Sequence, residues 1–190
     1  MNRIFWMMVI CSMVACRSDY ERYVLREQQA TERVTELLFD LHIGQSQKDF
    51  YATCWELNKQ EIISHGPNNQ FAQYQIPAEE LPGFDQSMRM LFYGIFDQEG
   101  TMQGMDMRFS CPNWSPWNKA LQAKALAAHV QDYFMHLYGG NDFITIDIDD
   151  KDVKGYVKID ANRHILVYPK DAQQVVAKIE DMAHRLNKNS

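Results

Sequence analysis

The feature that most constrains the fold is a pair of segments, Met88 to Phe96 and Met102 to Ser110, flanking Asp97-Gln98-Glu99-Gly100. Side chains alternate sides along a strand, so a run in which Met105, Met107 and Phe109 interleave with Asp106, Arg108 and Ser110 has one face to bury and one to leave wet. Two such runs joined by a short polar link with a glycine predict a β-hairpin. A lone hairpin is marginal in water and needs more strands or a covering helix. The chain offers both: strands are expected over residues 71–76, 143–148, 155–160 and 164–168, with His65-Gly66-Pro67-Asn68-Asn69 as a turn-rich break before the first.

The helical signals lie between them. A first helix is expected over residues 19–41, with Val24, Val34, Leu37, Leu38 and Leu41 as its apolar positions and charged early turns that read as a solvated stalk. Ser46 is a plausible N-cap for a second helix in which Phe50, Cys54 and Leu57 recur on one face. Ser115 and Pro116 suit the cap and first position of a third, running from Trp117 through Leu121, Val130 and Phe134 to a stop at Gly139-Gly140. A C-terminal helix is expected to carry Val175, Ile179, Met182 and Leu186 on one face. The resulting fold class is α+β, antiparallel strands packed against helices, with the order helix, strands, helix, strands recurring loosely in two halves. With 46% hydrophobic residues over 190 positions, one packed domain is expected. The net charge of −6, without a basic cluster, argues against a nucleic-acid partner.

The first residues are of another kind. Arg3 precedes an uncharged run from Ile4 to Ala15, and charges resume at Arg17. This is the layout of an export signal, and twelve helical residues rise only about 18 Å, short of the roughly 30 Å hydrocarbon layer. Met13-Val14-Ala15-Cys16 resembles the lipobox of bacterial lipoproteins. The resemblance implies that residues 1–15 are a lipoprotein signal peptide cut before Cys16, and that Cys16 carries the lipid holding residues 16–190 on a membrane. That places the domain in the cell envelope, on the periplasmic side or at the cell surface. Multiple acyl chains suffice for stable anchoring, whereas one is marginal.

Downstream, Gly44-Gln45-Ser46 opening a short helix, followed by strands and an aromatic-rich hairpin, is similar to SmpA/OmlA-type outer-membrane assembly lipoproteins and to the β-lactamase inhibitory protein fold. The phrases Phe50-Tyr51, Cys54-Trp55-Glu56-Leu57-Asn58-Lys59 and Trp114-Ser115-Pro116-Trp117-Asn118-Lys119 resemble small lipoproteins of Gram-negative anaerobes. This likeness implies binding rather than catalysis and carries no active site.

The residues agree in offering little chemistry. No nucleophile elbow, zinc helix, phosphate-cradling loop or Cys-x-x-Cys pair is present. Cys54 or Cys111 with a histidine such as His129 would make a nucleophile and base only if the fold joined them. The two cysteines either pair or stay buried thiols, the plainer state. His129 and His136 stand two helical turns apart, too far to share a zinc ion. Asp147, Asp149, Asp150 and Asp152 are the densest acidic group, yet an EF-hand counted from Asp147 would need glycine where Asp152 stands and glutamate where Lys158 stands. Neither a metal nor another cofactor is expected.

Surface recognition remains. If Ile144, Ile146, Ile148, Val157, Ile159, Ile165 and Val167 face the core, Phe143, Tyr156, Leu166 and Tyr168 fall together on an apolar outer face. With Trp114 and Trp117 they are the candidate partner-binding residues. The methionines 88, 90, 102, 105 and 107 read as adaptable core filler or binding surface. The expected function is a non-enzymatic protein-interaction or assembly role for a lipid-anchored envelope protein with an envelope protein partner. A carbohydrate or small-ligand binding accessory is the alternative, and a hydrolase the third reading. Cys16→Ser is expected to abolish labelling by a palmitate analogue and leave precursor uncut; normal labelling of that variant would refute the anchor.

Overall fold

The structure, a computed structural model, describes residues 18–148 and 153–188. Cys16, the signal segment, Asp149, Asp150 and Asp152 lie outside the described residues. Eight strands, β1 (Ser64–His65), β2 (Ala72–Ile76), β3 (Met88–Phe96), β4 (Met102–Ser110), β5 (Ile144–Ile148), β6 (Val153–Asp160), β7 (Arg163–Pro169) and β8 (Val175–Asp181), form one sheet. Their order is β1-β2-β3-β4-β8-β7-β6-β5, and every neighbouring pair is antiparallel. Each half is a helix followed by a four-strand meander: α2 (Gln47–Lys59) precedes β1–β4, and α3 (Ala123–Tyr138) precedes β5–β8. The two last strands, β4 and β8, meet antiparallel in the middle, as an approximate two-fold between the halves requires.

The hairpin is β3–β4, with Met90 opposite Phe109 and Phe92 opposite Met107. Asp97 closes its loop by accepting from the Glu99 and Thr101 amides at 3.0 and 2.9 Å. Met88, Met90, Phe92, Met105, Met107 and Phe109 are all fully buried. They share a face with Val175, Ala177 and Ile179 of β8 and Ile165 and Val167 of β7, capped by Leu126, Val130 and Phe134 of α3. Burying each large side chain contributes roughly 1.5–3 kcal/mol over leaving it exposed, which makes this layer the main stabilising element. At the seam, a Cβ on Gly104 would overlap the Ile179 carbonyl oxygen and lie 2.9 Å from Glu180 Cα, so only glycine fits.

A smaller core lies on the other face, under α1 (Asp19–Glu27). A capping box starts this helix: Ser18 Oγ accepts from the Glu21 amide at 3.2 Å and Glu21 accepts from the Ser18 amide at 3.0 Å. Tyr23 is buried against Val157, Ile159 and Met182, and its hydroxyl donates to the Ile159 carbonyl at 3.0 Å while accepting from the Ile159 amide at 2.9 Å.

Three expectations are corrected. The first helix ends at Glu27 rather than continuing to residue 41, and it packs on β6 instead of standing off as a stalk. Contacts from afar replace helical ones: Asn162 exchanges hydrogen bonds with Val34 at 2.7 and 3.1 Å, Arg33 pairs with Asp181 at 2.7 Å, and Phe39 and Asp40 take left-handed φ of 59° and 57°. The third helix begins at Ala123, not at Pro116. Asn118 instead accepts from the Ala120 amide at 3.2 Å in a short 3-10 turn, a local competitor to the helix. Most consequentially, Val175–Asp181 is the central strand β8, and α4 (Met182–Lys188) holds only the last turns. β8 alternates only in its second half, Ala177-Lys178-Ile179-Glu180, and the i, i+4 spacing of Val175 and Ile179 equally fits every second residue of a strand.

His164, on β7 in the α1-side face, is fully buried, with Nε2 3.2 Å from the Tyr20 hydroxyl and Nδ1 unpartnered among the described residues. Burial, then the charge of Arg185, push its pKa down to about 3. The unfolded chain takes up this proton near about 6.5, so below that pH it binds a proton that the native state refuses, and stability falls until pH reaches the native value. Between pH 6.5 and 5.0 this is expected to cost about 1–2 kcal/mol in urea unfolding, and His164→Gln should lose that part of the slope. Equal slopes in both proteins would show that other groups carry it.

Candidate functional site

The strand register separates the residues that the sequence grouped. Across β6 and β7, Val157 lies opposite Leu166 and Tyr156 opposite Val167. Leu166 and Tyr168 therefore share a face with Ile144, Ile146, Val157 and Ile159, whereas Tyr156 shares the other with Ile165 and Val167. Phe143, just before β5, packs with Tyr156 against the main core. The expected common outer face of Phe143, Tyr156, Leu166 and Tyr168 does not exist, because the two-residue turn at Ala161-Asn162 pairs odd positions of β6 with even positions of β7. Trp114 is half-buried with Nε1 donating to the Ala172 carbonyl at 3.2 Å, while Trp117 is 90% exposed.

Leu166 and Tyr168 instead belong to a surface that crosses the centre of the sheet. Successive cross-strand partners Leu91, Arg108, Val176 and Tyr168 form one row, and Tyr93, Asp106, Lys178 and Leu166 form the next. All but Val176 are half-buried, while their strand neighbours on the opposite face are buried in the main core. The face is cationic on a chain of net charge −6. Arg89 and Arg108 project from it, Arg108 lying 4.5 Å over the Phe71 ring, and Lys178 makes no ion pair among the described residues. Asp106 is the counter-charge within these rows, and its Oδ1 is buried without a hydrogen-bond partner among the described residues. Such an atom is costly to leave dry.

A groove of about 420 Å³ opens between α2 and the β1–β2 end of the sheet. Past Phe92, β3 has no strand partner on the β2 side, and α2 lies alongside it. Tyr51 and Trp55 from α2, Phe71 before β2 and Tyr93 on β3 bring four aromatic rings to it. The Tyr51 and Tyr93 hydroxyls are 2.7 Å apart, and the buried Phe50 ring sits edge-on to both at 5.6 and 5.8 Å. That bond and burial push the Tyr93 hydroxyl up from its ordinary value, so it stays protonated. Ser64, His65, Asn69 and Gln70 supply a polar side. The only local signal that pairs Tyr51 with Trp55 in the sequence is their i, i+4 spacing.

Among the described residues, neither surface sets a nucleophile beside a hydrogen-bonded base. Burial pushes both thiols, Cys54 and Cys111, up to about 11, far from a thiolate nucleophile, and both are free. Cys54 and His65 line the same groove but share no hydrogen bond, and no carboxylate lines it. His129 stacks on Phe84 at 4.4 Å, and His136 is exposed. Asp147 pairs with Lys154. Among the described residues no three His, Cys, Asp or Glu side chains gather as a metal site, and no helix is long and apolar enough to cross a membrane.

The register makes a stability contrast. Tyr156→Ala opens the main core and is expected to cost roughly 2–3 kcal/mol, somewhat below the 3–5 kcal/mol of a fully buried aromatic, whereas Tyr168→Ala should cost about 1 kcal/mol or less. Guanidinium unfolding of both variants reads the difference; equal losses would place Tyr168 in a covered core.

No family model, curated protein or solved structure matches the chain, and its two surfaces are read on their chemistry alone.

Proposed function

We propose that this chain is a lipid-anchored, non-enzymatic envelope protein that docks an acidic segment of an envelope protein on the centre of its sheet. The observation that carries this is the uncovered double row from Leu91 and Tyr93 across to Leu166 and Tyr168, with Arg108 and Lys178 at its middle. A broad face of mixed aliphatic, aromatic and cationic side chains suits a protein partner better than a small ligand. Its charge, opposite in sign to that of the whole chain, favours acidic partners and speeds their encounter. The unpartnered Asp106 oxygen sits where a partner's donor would satisfy it. The lipobox-like segment ending at Cys16 supplies the address, and an assembly role is what the likeness to SmpA/OmlA-type lipoproteins implies. The buried, protonated thiols and the lack of convergent acid and base groups among the described residues favour binding over hydrolysis.

The test is site-specific photo-crosslinking in the native envelope, with p-benzoylphenylalanine at Leu91 or Tyr168 and, as control, at His136 on α3. Both sheet positions are expected to capture the same envelope protein, and the control not to. Arg108→Glu with Lys178→Glu should abolish capture while moving the melting temperature by only a few degrees, as surface substitutions do. Capture from α3 alone, or capture indifferent to charge reversal, would refute the reading.

A further inference from the structure

We infer that the groove between α2 and the β1–β2 end of the sheet is a binding site for a neutral saccharide, a second site that adjoins the sheet-face docking surface at Tyr93. Its volume of about 420 Å³ falls in the range of small-ligand sites, roughly 300–1,000 Å³. Two of its rings are presented outward. Tyr51 is 48% and Trp55 59% exposed, and their i, i+4 spacing sets them one turn apart on α2, about 6 Å along the axis. Large aromatic side chains left open to water inside a concavity are flat apolar platforms with nothing stacked on them.

The platform is held in place before any ligand arrives. The Tyr51–Tyr93 hydroxyl bond ties α2 to β3, and Phe50 wedges beneath both rings. A site whose rings are already fixed loses little rotamer freedom on binding.

The polar side of the groove defines the ligand class. Ser64, Asn69 and Gln70 line it with side chains that make no hydrogen bond among the described residues, so a hydroxyl and two amides are free to donate and accept. No carboxylate, arginine or lysine lines it. Two cations border it: Lys59 lies over the Trp55 ring at 5.7 Å and is paired with Glu56 at 2.9 Å, and Arg108 lies 4.5 Å over the Phe71 ring. With no cation among the lining residues, a phosphate or carboxylate has no direct counter-charge in the groove, and an acyl chain would strand the amides against hydrocarbon. A sugar ring matches both walls: its axial C–H face lies on an aromatic ring and its equatorial hydroxyls reach the amides. No acid–base pair borders the groove, so the saccharide is held and not cut.

The experiment is saturation-transfer NMR from the full-length protein in nanodiscs to neutral tetrasaccharides: chitotetraose, cellotetraose and maltotetraose. At least one is expected to show saturable transfer, reduced tenfold or more by Trp55→Ala, restored by Trp55→Phe, and unchanged by Trp117→Ala, an exposed ring outside the groove. Absence of transfer to all three, or transfer indifferent to Trp55→Ala, overturns the inference. So does N-phenyl-1-naphthylamine that binds the groove, is lost in Trp55→Ala and is not displaced by any tetrasaccharide, since that outcome identifies an apolar ligand. Crosslinks from Leu91 and Tyr168 do not depend on Trp55, so either reading can fail alone.

Discussion

The pairing of β4 with β8 is the interaction on which the rest of the structure depends. Met107 and Ala177 meet across 70 residues of chain, and this seam turns two four-strand meanders into one sheet. Closing so long a loop has an entropic cost that local hairpins avoid, so the seam must recover it in buried area. It does so with Met105, Met107 and Phe109 beside Val175, Ala177 and Ile179, all fully buried. Gly104 belongs to the same requirement, because β8 approaches so closely there that no side chain fits.

Both candidate surfaces arise where the two halves differ. One face of the sheet is closed by α2 and α3, one from each half, but the opposite face is covered at one end, by α1 on β6 and α4 beside β8, with no counterpart over β1–β4. The middle of that face is therefore left with Arg108, Lys178 and Tyr168 open. The groove has the same origin at the sheet's other end. β6 pairs along most of its length with β7, whereas β2 stops at Ala72 and β1 has two residues, so the end of β3 is bordered by α2 across a gap. A repeat that were perfect would have neither feature.

What the sequence disclosed follows the range of the interactions. The β3–β4 hairpin was legible to the residue, because its alternation and its Asp97-capped loop are local. β5, β6, β7 and the Gly139 stop of α3 were legible for the same reason. β8 was not, since Val175 and Ile179 stand at a spacing that a helix and a strand share, and Met182 and Leu186 continue it into α4. The shared face of Phe143, Tyr156, Leu166 and Tyr168 failed on register: parity along one strand is fixed by the sequence, but parity between strands is fixed by the turn. Ala161, with φ of 52°, makes that turn two residues long and flips the match between β6 and β7. Of the candidate surfaces, Leu166 and Tyr168 were named beforehand, while Arg108 and Lys178 joined them only through β4–β8 pairing that no local signal announces.

The position of α1 links these surfaces to the proposed anchor. Asp19 begins the helix three residues after Cys16, and a chain extends at most about 3.5 Å per residue, so a lipid on Cys16 would sit within about 10 Å of the start of α1. That helix packs on β6 through Tyr23, so such a tether would lie nearest the β5–β6 side of the sheet. β2, at the groove, is five strands from β6. At about 4.8 Å per strand the groove is then held roughly 24 Å from the tethered side. The cationic rows of β4 and β8 lie between the two. If Cys16 carries the proposed anchor, the groove is thus the end of the sheet farthest from the tether, and the cationic rows run up to it at Tyr93.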